Sequence, residues 1–435
     1  MTPGHQDTTA TPGVDQVGGL RPTRAGADAL VRARRLLAEE VVPLENRLAA
    51  ELRAVGRPHP ELDEDGAMAA PYWEARRHVQ RRAAAEGLYA AHLSPRVGGG
   101  GLGRVDMFFL EEAVYRHGAF LAPAVLGWTE GPGPLLEHAT DDQLQRFGVP
   151  LAQGDITAAF ANTEPDAGSD VLAMTTRAER DGDDWVITGR KRWITNWQRC
   201  DVAQVVAVTE PGAHTRSLTI FLVEADRPGF RRGPVLPTLL DDGLTGELVL
   251  DGVRVPDANR LGEVGAGFGL AMTWINWRRL CRGGMCAGWS RLLVDRARER
   301  IEPRRAYGRT MADLQVVQHT LADMEADRYA ARAASLVAQA ELDELGPFVI
   351  PLSSRAKQLI ALVKVINDES FHRVADRAVQ LHGAAGLHKE GFGAAAGPGL
   401  EEKLFRVARN LKIPAGTVEV QRDLLARQLL APGHD

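Results

Sequence analysis

The first third of the chain repeats apolar residues at the spacing of an amphipathic helix. One helical stripe near its start collects Leu30, Ala33, Leu37, Val41 and Leu44. The same spacing predicts helices over YWEARRHVQRRAAAEGL, VDMFFLEEAVYRHG and TDDQLQRFGVPLAQG, the last with Thr140 as its N-cap. Loops rich in Gly and Pro at 56–71 and 94–104 interrupt the helical pattern. We therefore predict an N-terminal helical domain over residues 27–155.

The pattern changes after residue 155, where short apolar runs alternate with turns. The runs are DITAAFANT, TTRAER, DWVITGRKRWIT, VAQVVAVT, LTIFLVEA and GELVLDGVRVP. Their length and β-branched content predict strands, and DGDD at 181–184 resembles the turn of a hairpin. We predict a middle β domain, a barrel or sandwich, over residues 156–261.

Long helical patterns return in the last part of the chain. One uninterrupted helix is predicted over GFGLAMTWINWRRLCRGGMCAGWSRLLVDRARERI, and further helices follow over TMADLQVVQHTLADMEADRYAARAASLVAQAEL, SSRAKQLIALVKVINDESFHRVADRAVQLHG and TVEVQRDLLARQLL. Short links between long helices favour a four-helix bundle over residues 262–435. The predicted fold class is therefore α+β and multidomain, with an N-terminal helical domain, a middle β-barrel or sandwich and a C-terminal four-helix bundle.

Composition excludes several classes of protein. The net charge is −5 with both signs interspersed, which argues against nucleic acid as a partner. Three cysteines without metal-ligand spacing predict neither a disulfide framework nor a metal site. Residues 1–26 are polar and predicted to be a disordered tail without the apolar core of a signal peptide. No apolar run reaches the roughly 18 residues of a membrane span, so we expect a cytoplasmic protein.

The loop FANTEPDAGSD, residues 160–170, gathers more polar groups than a turn requires. Ala167 and Gly168 would allow another molecule to approach the backbone closely. The loop is therefore a candidate binding loop. The alternative is a turn in which the Asn, Asp, Ser and Thr side chains only satisfy the end of a strand.

Four further segments carry candidate chemistry. They are GRKRWITN (189–196), PRRAYGRTMADLQVVQHTLADM (303–324), QLHGAAGL (380–387) and KIPAGTVEVQRDLLARQLL (412–430). An Arg fork in the second segment suits a phosphate group. Each of the first three also has a plain structural interpretation: a Trp packed in a core, a solvated basic helix start, and a glycine cap at a helix end.

Together, the motifs and their order resemble the acyl-CoA dehydrogenase family of flavoproteins, from about residue 27 to residue 432. TEPDAGSD is similar to the TEPxAGSD loop of the family, GRKRWITN to GxKxWITN, and GTVEVQR to the closing GTxEIQR segment. In QLHGAAGL, Ala384 replaces a glycine of the family pattern, which a negative φ would tolerate. The resemblance implies FAD as the cofactor and phosphate arms that cross between subunits, hence a homodimer or homotetramer.

The resemblance also implies residue roles. Cofactor contacts are implied for Phe160, Asn162, Thr163, Gly168, Ser169, Trp193, Ile194, Thr195, Arg304, Tyr307, Gln315, Gln380, Leu381, Gly383, Ala384, Thr417 and Glu419. Substrate contacts are implied for Ser169, Asn276, Arg278 and Arg279.

The proton acceptor expected from the family is missing. The family places a glutamate at one of two positions, and this chain has Ala415 at one and Arg278 at the other. A guanidinium stays protonated and cannot act as a base, and loss of a general base lowers a rate by roughly 10²–10⁴. The catalytic residue is therefore unassigned. His388 and Glu390 are candidates, with solvated loop residues as the alternative interpretation.

Residues next to the second base position also differ from the family pattern. Arg278 would favour a substrate carboxylate or an anionic intermediate if it faces the flavin, or it extends along a helix face. Trp274 and Trp277 would narrow the acyl pocket or belong to the core, and Asn276 replaces an acidic residue.

We therefore predict an FAD-dependent oxidoreductase that acts on a specialised acyl thioester linked to CoA or to a carrier protein, with an electron-transfer or flavin reductase partner. Two alternatives remain at this point. One is a flavin monooxygenase on the same fold, which uses reduced flavin and oxygen. The other is a catalytically inactive flavin-binding homologue.

Overall fold

The structure, a computed structural model, describes residues 19–54, 61–127, 130–345, 352–389, 397 and 399–430. Helices form its N-terminal part. Their bounds are α1 Arg24–Leu36, α2 Val42–Ala54, α3 Ala70–Ala85, α4 Arg104–Arg116, α5 Asp141–Gln143 and α6 Val149–Ala152. Turns of π-helix at Leu37–Val41 and Leu144–Gly148 join α1 to α2 and α5 to α6. Of the predicted tail, only residues 19–26 lie within the described ranges.

Side-chain caps fix where these helices begin. Thr23 caps α1 by accepting the N–H of Gly26, and its own N–H and hydroxyl donate to Asp106 of α4 at 2.7 and 2.6 Å. Thr140 caps α5 as predicted. Its hydroxyl accepts the Gln143 N–H, and the Gln143 side chain accepts the Thr140 N–H in return.

The middle part is one eight-stranded sheet. Its strands are β1 Ala158–Ala161, β2 Arg177–Asp181, β3 Asp184–Thr195, β4 Val202–Val208, β5 Leu218–Glu224, β6 Phe230–Val235, β7 Thr245–Pro256 and β8 Arg260–Leu261. The order is β6-β7-β3-β2-β4-β5-β8, and β1 pairs in parallel with β4.

Two details of the sheet bear on the sequence predictions. Asp181 pairs with Asp184 across a two-residue loop, which confirms the hairpin predicted at DGDD. Strand β6 was not predicted, because its sequence FRRGPV contains Gly, Pro and two arginines instead of alternating apolar residues.

Helices also dominate the C-terminal part. Their bounds are α7 Gly267–Leu280, α8 Arg282–Ile301, α9 Gln315–Glu344, α10 Ser354–His382, α11 Leu400–Leu411 and α12 Val418–Leu429, with a small hairpin of β9 Arg305–Ala306 and β10 Arg309–Thr310. Helix α10 packs against α8, α9, α11 and α12. Short 3₁₀ turns lie at Pro95–Val97, Ala122–Val125, Pro134–His138, Val171–Ala173, His214–Ser217, Asp257–Asn259, Met311–Asp313 and Gly383–Leu387.

The prediction of one uninterrupted helix over residues 267–301 is wrong, because α7 ends at Leu280 and α8 begins at Arg282. Just after the break, α8 lies very close to α4. A Cβ on Gly284 would come within 2.4 Å of the Phe108 carbonyl oxygen and 2.5 Å of the Glu111 Cβ. The glycine therefore permits a contact between backbones that a larger residue would prevent.

The largest apolar core joins the N-terminal helices to the C-terminal bundle, and a second core fills the interior of the sheet. A third core packs β4 and β5 against α7 and the turn at Pro134–His138. Across the described ranges, no helix is both long enough and apolar enough to cross a membrane. Helix α7 thus lies where the three parts of the chain meet.

Candidate functional site

The loop after β1 is held by one buried carboxylate. Glu164 accepts hydrogen bonds from the Thr175 N–H (2.6 Å), the Thr175 hydroxyl (2.8 Å), the Thr176 N–H (2.9 Å) and the ammonium of Lys191 (2.8 Å). Burial alone would raise its pKa, but the charge of Lys191 and these hydrogen bonds lower the pKa of Glu164 to about 2. The loop therefore has a fixed anchor, and Gly168 and Ser169 beyond it stay exposed.

The exposed part of this loop presents backbone and hydroxyl groups to open space. No heavy atom lies within 4 Å of the position that a Cβ on Gly168 would take. Behind it, Asn162 is 7% exposed, and its Oδ1 has no hydrogen-bond partner among the described residues. A buried acceptor without a partner, next to an open loop, is what a site for a polar ligand provides.

Trp193 projects from the end of β3 beside this loop. The Arg192 N–H donates to the Thr163 carbonyl at 2.8 Å, and the register of β3 on β7 shifts between Lys191 and Ile194. Trp193 has φ +61° and is 50% exposed, so the strand turns this indole outward instead of into the core. Of its two neighbours, Ile194 is buried inside the sheet and Thr195 is half-buried.

Helix α7 links the β1 loop to the C-terminal segment. The ring of Trp274 stacks on Phe160 with 4.2 Å between centroids. Farther along α7, Arg279 donates to the Ala415 carbonyl at 2.7 Å and to the Asn276 side chain at 2.7 Å. The structure therefore brings the β1 loop, α7 and the segment containing Ala415 into one region, as the candidate residues require.

Ala415 has φ +62° and is followed by Gly416 at φ +77°. A Cβ on Gly416 would lie 2.8 Å from Nη2 of Arg279, so the segment packs tightly on that guanidinium. Thr417 caps α12 by accepting the Val420 N–H at 3.3 Å, and Glu419 is exposed in the first turn of the helix. Within the described part of the chain, six non-glycine residues have positive φ, and Trp193, Tyr307 and Ala415 are three of them, so unusual backbone is concentrated in the candidate segments.

Arg278 faces helix α4. Its guanidinium lies 5.7 Å from the centroid of the Trp277 ring and interacts with Tyr115 and Glu111 of α4 and with Cys281. Burial lowers the pKa of Arg278 below its usual value. Arg278, at the second base position, is therefore a cation that faces the N-terminal helices.

A buried polar cluster that the sequence analysis missed surrounds this arginine. Glu111 is 3% exposed, and its Oε2 has no hydrogen-bond partner within the described ranges. Burial raises the pKa of Glu111 to about 8, although Cys281, Arg104 and Arg278 act in the opposite direction. The ring of His92 stacks on Trp277 at 4.6 Å, and burial with the neighbouring arginines lowers the pKa of His92 to about 3.

One signal could have identified this cluster from the sequence. The segment VDMFFLEEAVYR has apolar residues all around its helix, which indicates burial on every side. Any acid inside such a helix must therefore be buried, and Glu111 is an example.

The remaining candidate cofactor residues lie at an exposed end of the bundle. Arg304 and Tyr307 are in the β9–β10 hairpin, and Tyr307 is 93% exposed with φ +52°. Gln315, Gln380, Gly383 and Ala384 are exposed as well, whereas Leu381 is buried. Ion pairs of Arg377 with Asp323 and Asp327 hold the end of α10 against the start of α9. The structure therefore groups these residues with one another. Their group lies about 16 Å along α10 from Glu369, and Glu369 pairs with Lys412, which precedes the Ala415 segment.

Three family models match successive parts of the chain. Acyl-CoA dehydrogenase, N-terminal domain, matches residues 30–155, the middle domain matches 159–253 and the C-terminal domain matches 265–430. The chain belongs to the acyl-CoA dehydrogenase family.

Named relatives support the same family. The short-chain specific acyl-CoA dehydrogenase, mitochondrial, of Bos taurus is 32% identical over 299 residues, 68% of this chain and 69% of that protein. The caffeyl-CoA reductase-Etf complex subunit CarC of Acetobacterium woodii is 31% identical over 299 residues, 68% of this chain and 75% of that subunit. The structure of butyryl-CoA dehydrogenase from Megasphaera elsdenii has a TM-score of 0.77 at 25% identity, covering 94% of this chain and 99% of that one.

As a member of the acyl-CoA dehydrogenase family, the protein is an FAD-dependent oxidoreductase acting on CH–CH groups. These comparisons confirm the predicted family, fold class and cofactor. The residues present fit a flavin, since an outward indole, an open loop and the partnerless Asn162 Oδ1 lie at the end of β3 and the start of the loop after β1.

The structure provides no geometric support for His388 or Glu390 as the general base. His388 is exposed, just beyond the 3₁₀ turn that follows α10. Glu390 lies outside the described residues. Among the described residues no group of three or more His, Cys, Asp or Glu side chains could hold a metal ion.

Proposed function

We propose that the protein oxidises the Cα–Cβ bond of a specialised acyl thioester carried by CoA or by a carrier protein. When bound, FAD would supply the acceptor for the β-hydride, and the α-proton would pass to solvent or to another acceptor, because the two base positions of the family hold Ala415 and Arg278. The observation that carries this proposal is the convergence of two segments on α7: Phe160 of β1 stacks on Trp274, and Arg279 donates to the Ala415 carbonyl.

The residues of this chain divide into three tasks in the proposed reaction. Thr163, Ser169, Trp193, Thr195 and Thr417 would hold the flavin ring, with hydroxyl and N–H groups placed where negative charge develops. Asn276 and Arg279 orient the segment that contains Ala415 through the hydrogen bonds described above. Trp274 and Trp277 exclude water from the acyl side of the site because both rings pack against other aromatic rings.

The exposed group at the end of the bundle would bind the phosphate and adenosine half of an FAD whose ring lies in a second subunit. The full exposure of Tyr307 and the exposure of Arg304 and Gln380 support this arrangement. We therefore propose a homodimer or homotetramer. We further propose a cytoplasmic enzyme that exchanges electrons with an electron-transfer or flavin reductase partner.

The test of the function uses the FAD-bound protein under anaerobic conditions. A panel of acyl-CoA thioesters is added, and bleaching of the visible flavin absorbance reports oxidation of the substrate. Bleaching by at least one thioester is the expected result. Product formation that requires oxygen and a supplied reductant, without bleaching, would point to a monooxygenase. Neither signal would indicate an inactive flavin-binding homologue.

Ala415→Glu is the sharper variant, because it places a carboxylate at the first of the two base positions. The main chain there already has φ +62°, which a glutamate adopts with about the same strain as an alanine. We expect the rate of flavin reduction to rise by roughly 10²–10⁴, the usual contribution of a general base. Ala415→Gln is the matched control, with the same shape and no proton acceptor. An equal rise in both variants would show that the carboxylate is not acting as a base.

A further inference from the structure

The carboxyl of Glu111 marks a polar site inside the contact between α4 and α8. The side chain is 3% exposed, and Gly284 of α8 packs against it so closely that a Cβ there would lie 2.9 Å from Oε2. Cys281 and the Gly284 backbone hydrogen-bond to this carboxyl group, but its Oε2 atom has no hydrogen-bond partner among the described residues. Leaving a buried polar atom without a partner is unfavourable, so such atoms point to a missing ligand group or water.

His92 provides a second atom of the same kind. Its Nε2 is buried and has no partner in the described part of the chain. Since the ring also makes a hydrogen bond to the Pro132 backbone, that bond uses Nδ1, and Nε2 is left as an acceptor. Both His92 and Glu111 interact with Arg104 and Arg278, so they belong to one cluster.

One face of α7 runs from the candidate flavin loop to this cluster, which lies at the far end of that face. Trp274, Trp277 and Cys281 follow one another at spacings of three and four residues, which places them on one face of the helical segment. Trp274 contacts Phe160 at the candidate flavin loop, Trp277 contacts His92, and Cys281 interacts with Glu111. The seven residue steps from Trp274 to Cys281 span about 10 Å.

That length matches an acyl chain of several carbons that extends from the reacting end of the site. Resting on the proposed function, we infer that the Glu111–His92 cluster receives the polar end of the acyl group, and that this acyl group carries a hydroxyl. A hydroxyl can donate to the Nε2 acceptor of His92 or accept from a protonated Glu111, so it satisfies the two atoms that lack partners. A plain hydrocarbon chain would leave both unsatisfied.

A protonated Glu111 is consistent with its surroundings. Burial raises the pKa of its carboxyl to about 8, so the group is largely a donor at neutral pH. The titratable groups that interact with it are Arg104 and Tyr115 from α4, Arg278 from α7, Cys281 from the break between α7 and α8, and Cys286 from α8.

The experiment compares three series of CoA thioesters on the FAD-bound protein: ω-hydroxyacyl, ω-carboxyacyl and unsubstituted acyl chains with equal numbers of heavy atoms. Dissociation constants come from calorimetry, and flavin bleaching is recorded separately. We expect the hydroxylated chain to bind about tenfold more tightly than the unsubstituted chain at one length, since a site built around a hydroxyl rejects the analogue lacking it. Equal or weaker binding of the hydroxylated series at every length, or tightest binding of the carboxylated series, overturns the inference.

Variants assign the preference to the cluster. Glu111→Leu removes the polar atoms and should abolish the preference, whereas Glu111→Gln keeps a donor of the same shape and should retain it. His92→Phe preserves an aromatic ring against Trp277 but removes Nε2, and we expect it to reduce the preference at least severalfold. If the Leu variant does not fold, the Phe variant decides. A preference that persists in His92→Phe at full size overturns the role of the cluster.

The two readouts separate this inference from the proposed function. Tight binding of a hydroxylated thioester without flavin bleaching would contradict the dehydrogenase function and leave the polar site standing. Bleaching by unsubstituted thioesters, with no preference for a hydroxyl, would do the reverse.

Discussion

Two buried glutamates on either side of the candidate site have opposite surroundings. Glu164 accepts four hydrogen bonds, one from the ammonium of Lys191, and its pKa falls to about 2. Glu111 is equally buried, but its Oε2 has no hydrogen-bond partner among the described residues, and its pKa rises to about 8. Glu164 is therefore ionised in the folded protein at neutral pH, whereas burial favours the protonated form of Glu111.

The contrast indicates two different roles. Glu164 holds the loop after β1 in place, whereas Glu111 is available to bind a ligand. The anchor at Glu164 fixes the loop that would meet the flavin, and every contact that it makes is within the chain. Glu111 instead keeps one carboxylate oxygen without a hydrogen-bond partner among the described residues, whereas Glu112 beside it is paired with Arg332. Burial alone does not distinguish the two roles, but the number of hydrogen bonds and the direction of the pKa shift do.

Removing the cation beside Glu164 should give the largest effect on stability. Lys191→Met leaves a buried charge without its partner, and we expect the free energy of unfolding to fall by about 3–5 kcal/mol. Urea unfolding at pH 7 measures it. Arg231→Met is the matched control, since Arg231 and Asp251 form a 2.6 Å pair in the same sheet with both side chains 63% exposed, and it should change the free energy by less than about 1 kcal/mol. Similar losses in both variants would mean that Glu164 is not the anchor.

The next effect appears in acid. The folded-state pKa of Glu164 is about 2, compared with an ordinary value of 4.5. Its contribution to the free energy of unfolding is therefore complete above pH 4.5 and is lost as the pH falls from 4.5 toward 2. The shift corresponds to about 3 kcal/mol. Glu164→Gln should therefore be less stable than the native chain at pH 7, and the difference should shrink once the pH is below 4.5. Urea titrations at pH 7, 4 and 3 test this. A difference that stays constant would contradict the ionised anchor.

The smallest effect is at Glu111 and has the opposite sign. Its folded-state pKa of about 8 lies above the ordinary 4.5, so its contribution is complete below pH 4.5 and is lost as the pH rises from 4.5 to 8. Glu111→Gln cannot ionise. We expect it to be more stable than the native chain at pH 9 by about 1–3 kcal/mol, the usual penalty of an unsatisfied buried group, within the upper bound of about 5 kcal/mol that the full pKa shift sets, and nearly equal at pH 4. Thermal unfolding at both pH values measures the difference in stability between the variant and the native chain. If the native chain is the more stable at pH 9, the contrast between Glu111 and Glu164 is refuted.

The sequence was informative wherever the signal was local. Strand and helix periodicity indicated the fold class, Thr140 identified a cap, and DGDD identified a hairpin. The motifs around Thr163, Trp193 and Thr417 led to the family, because a loop that binds a cofactor must carry its polar groups on adjacent residues. Strand β6 and the break at Cys281 were missed, since neither has a pattern of its own and both depend on packing against neighbours.

The polar cluster could not be assembled from the sequence for a different reason. His92, Glu111 and Arg278 come from separate segments, and the folded chain, with α4 packed on α8, brings them together. The direction of Arg278 was unknown for the same reason, because the sequence places it on a helix but does not show which neighbour it faces.

The three cysteines offer a practical consequence. Cys200, Cys281 and Cys286 are each no more than 2% exposed, and burial raises the pKa of every one of their thiols. The native chain should thus react slowly with thiol reagents, so a single cysteine introduced on the surface can carry a spectroscopic probe without removal of the others. Any slow labelling of Cys281 would then measure the rate of transient separation of α4 from α8.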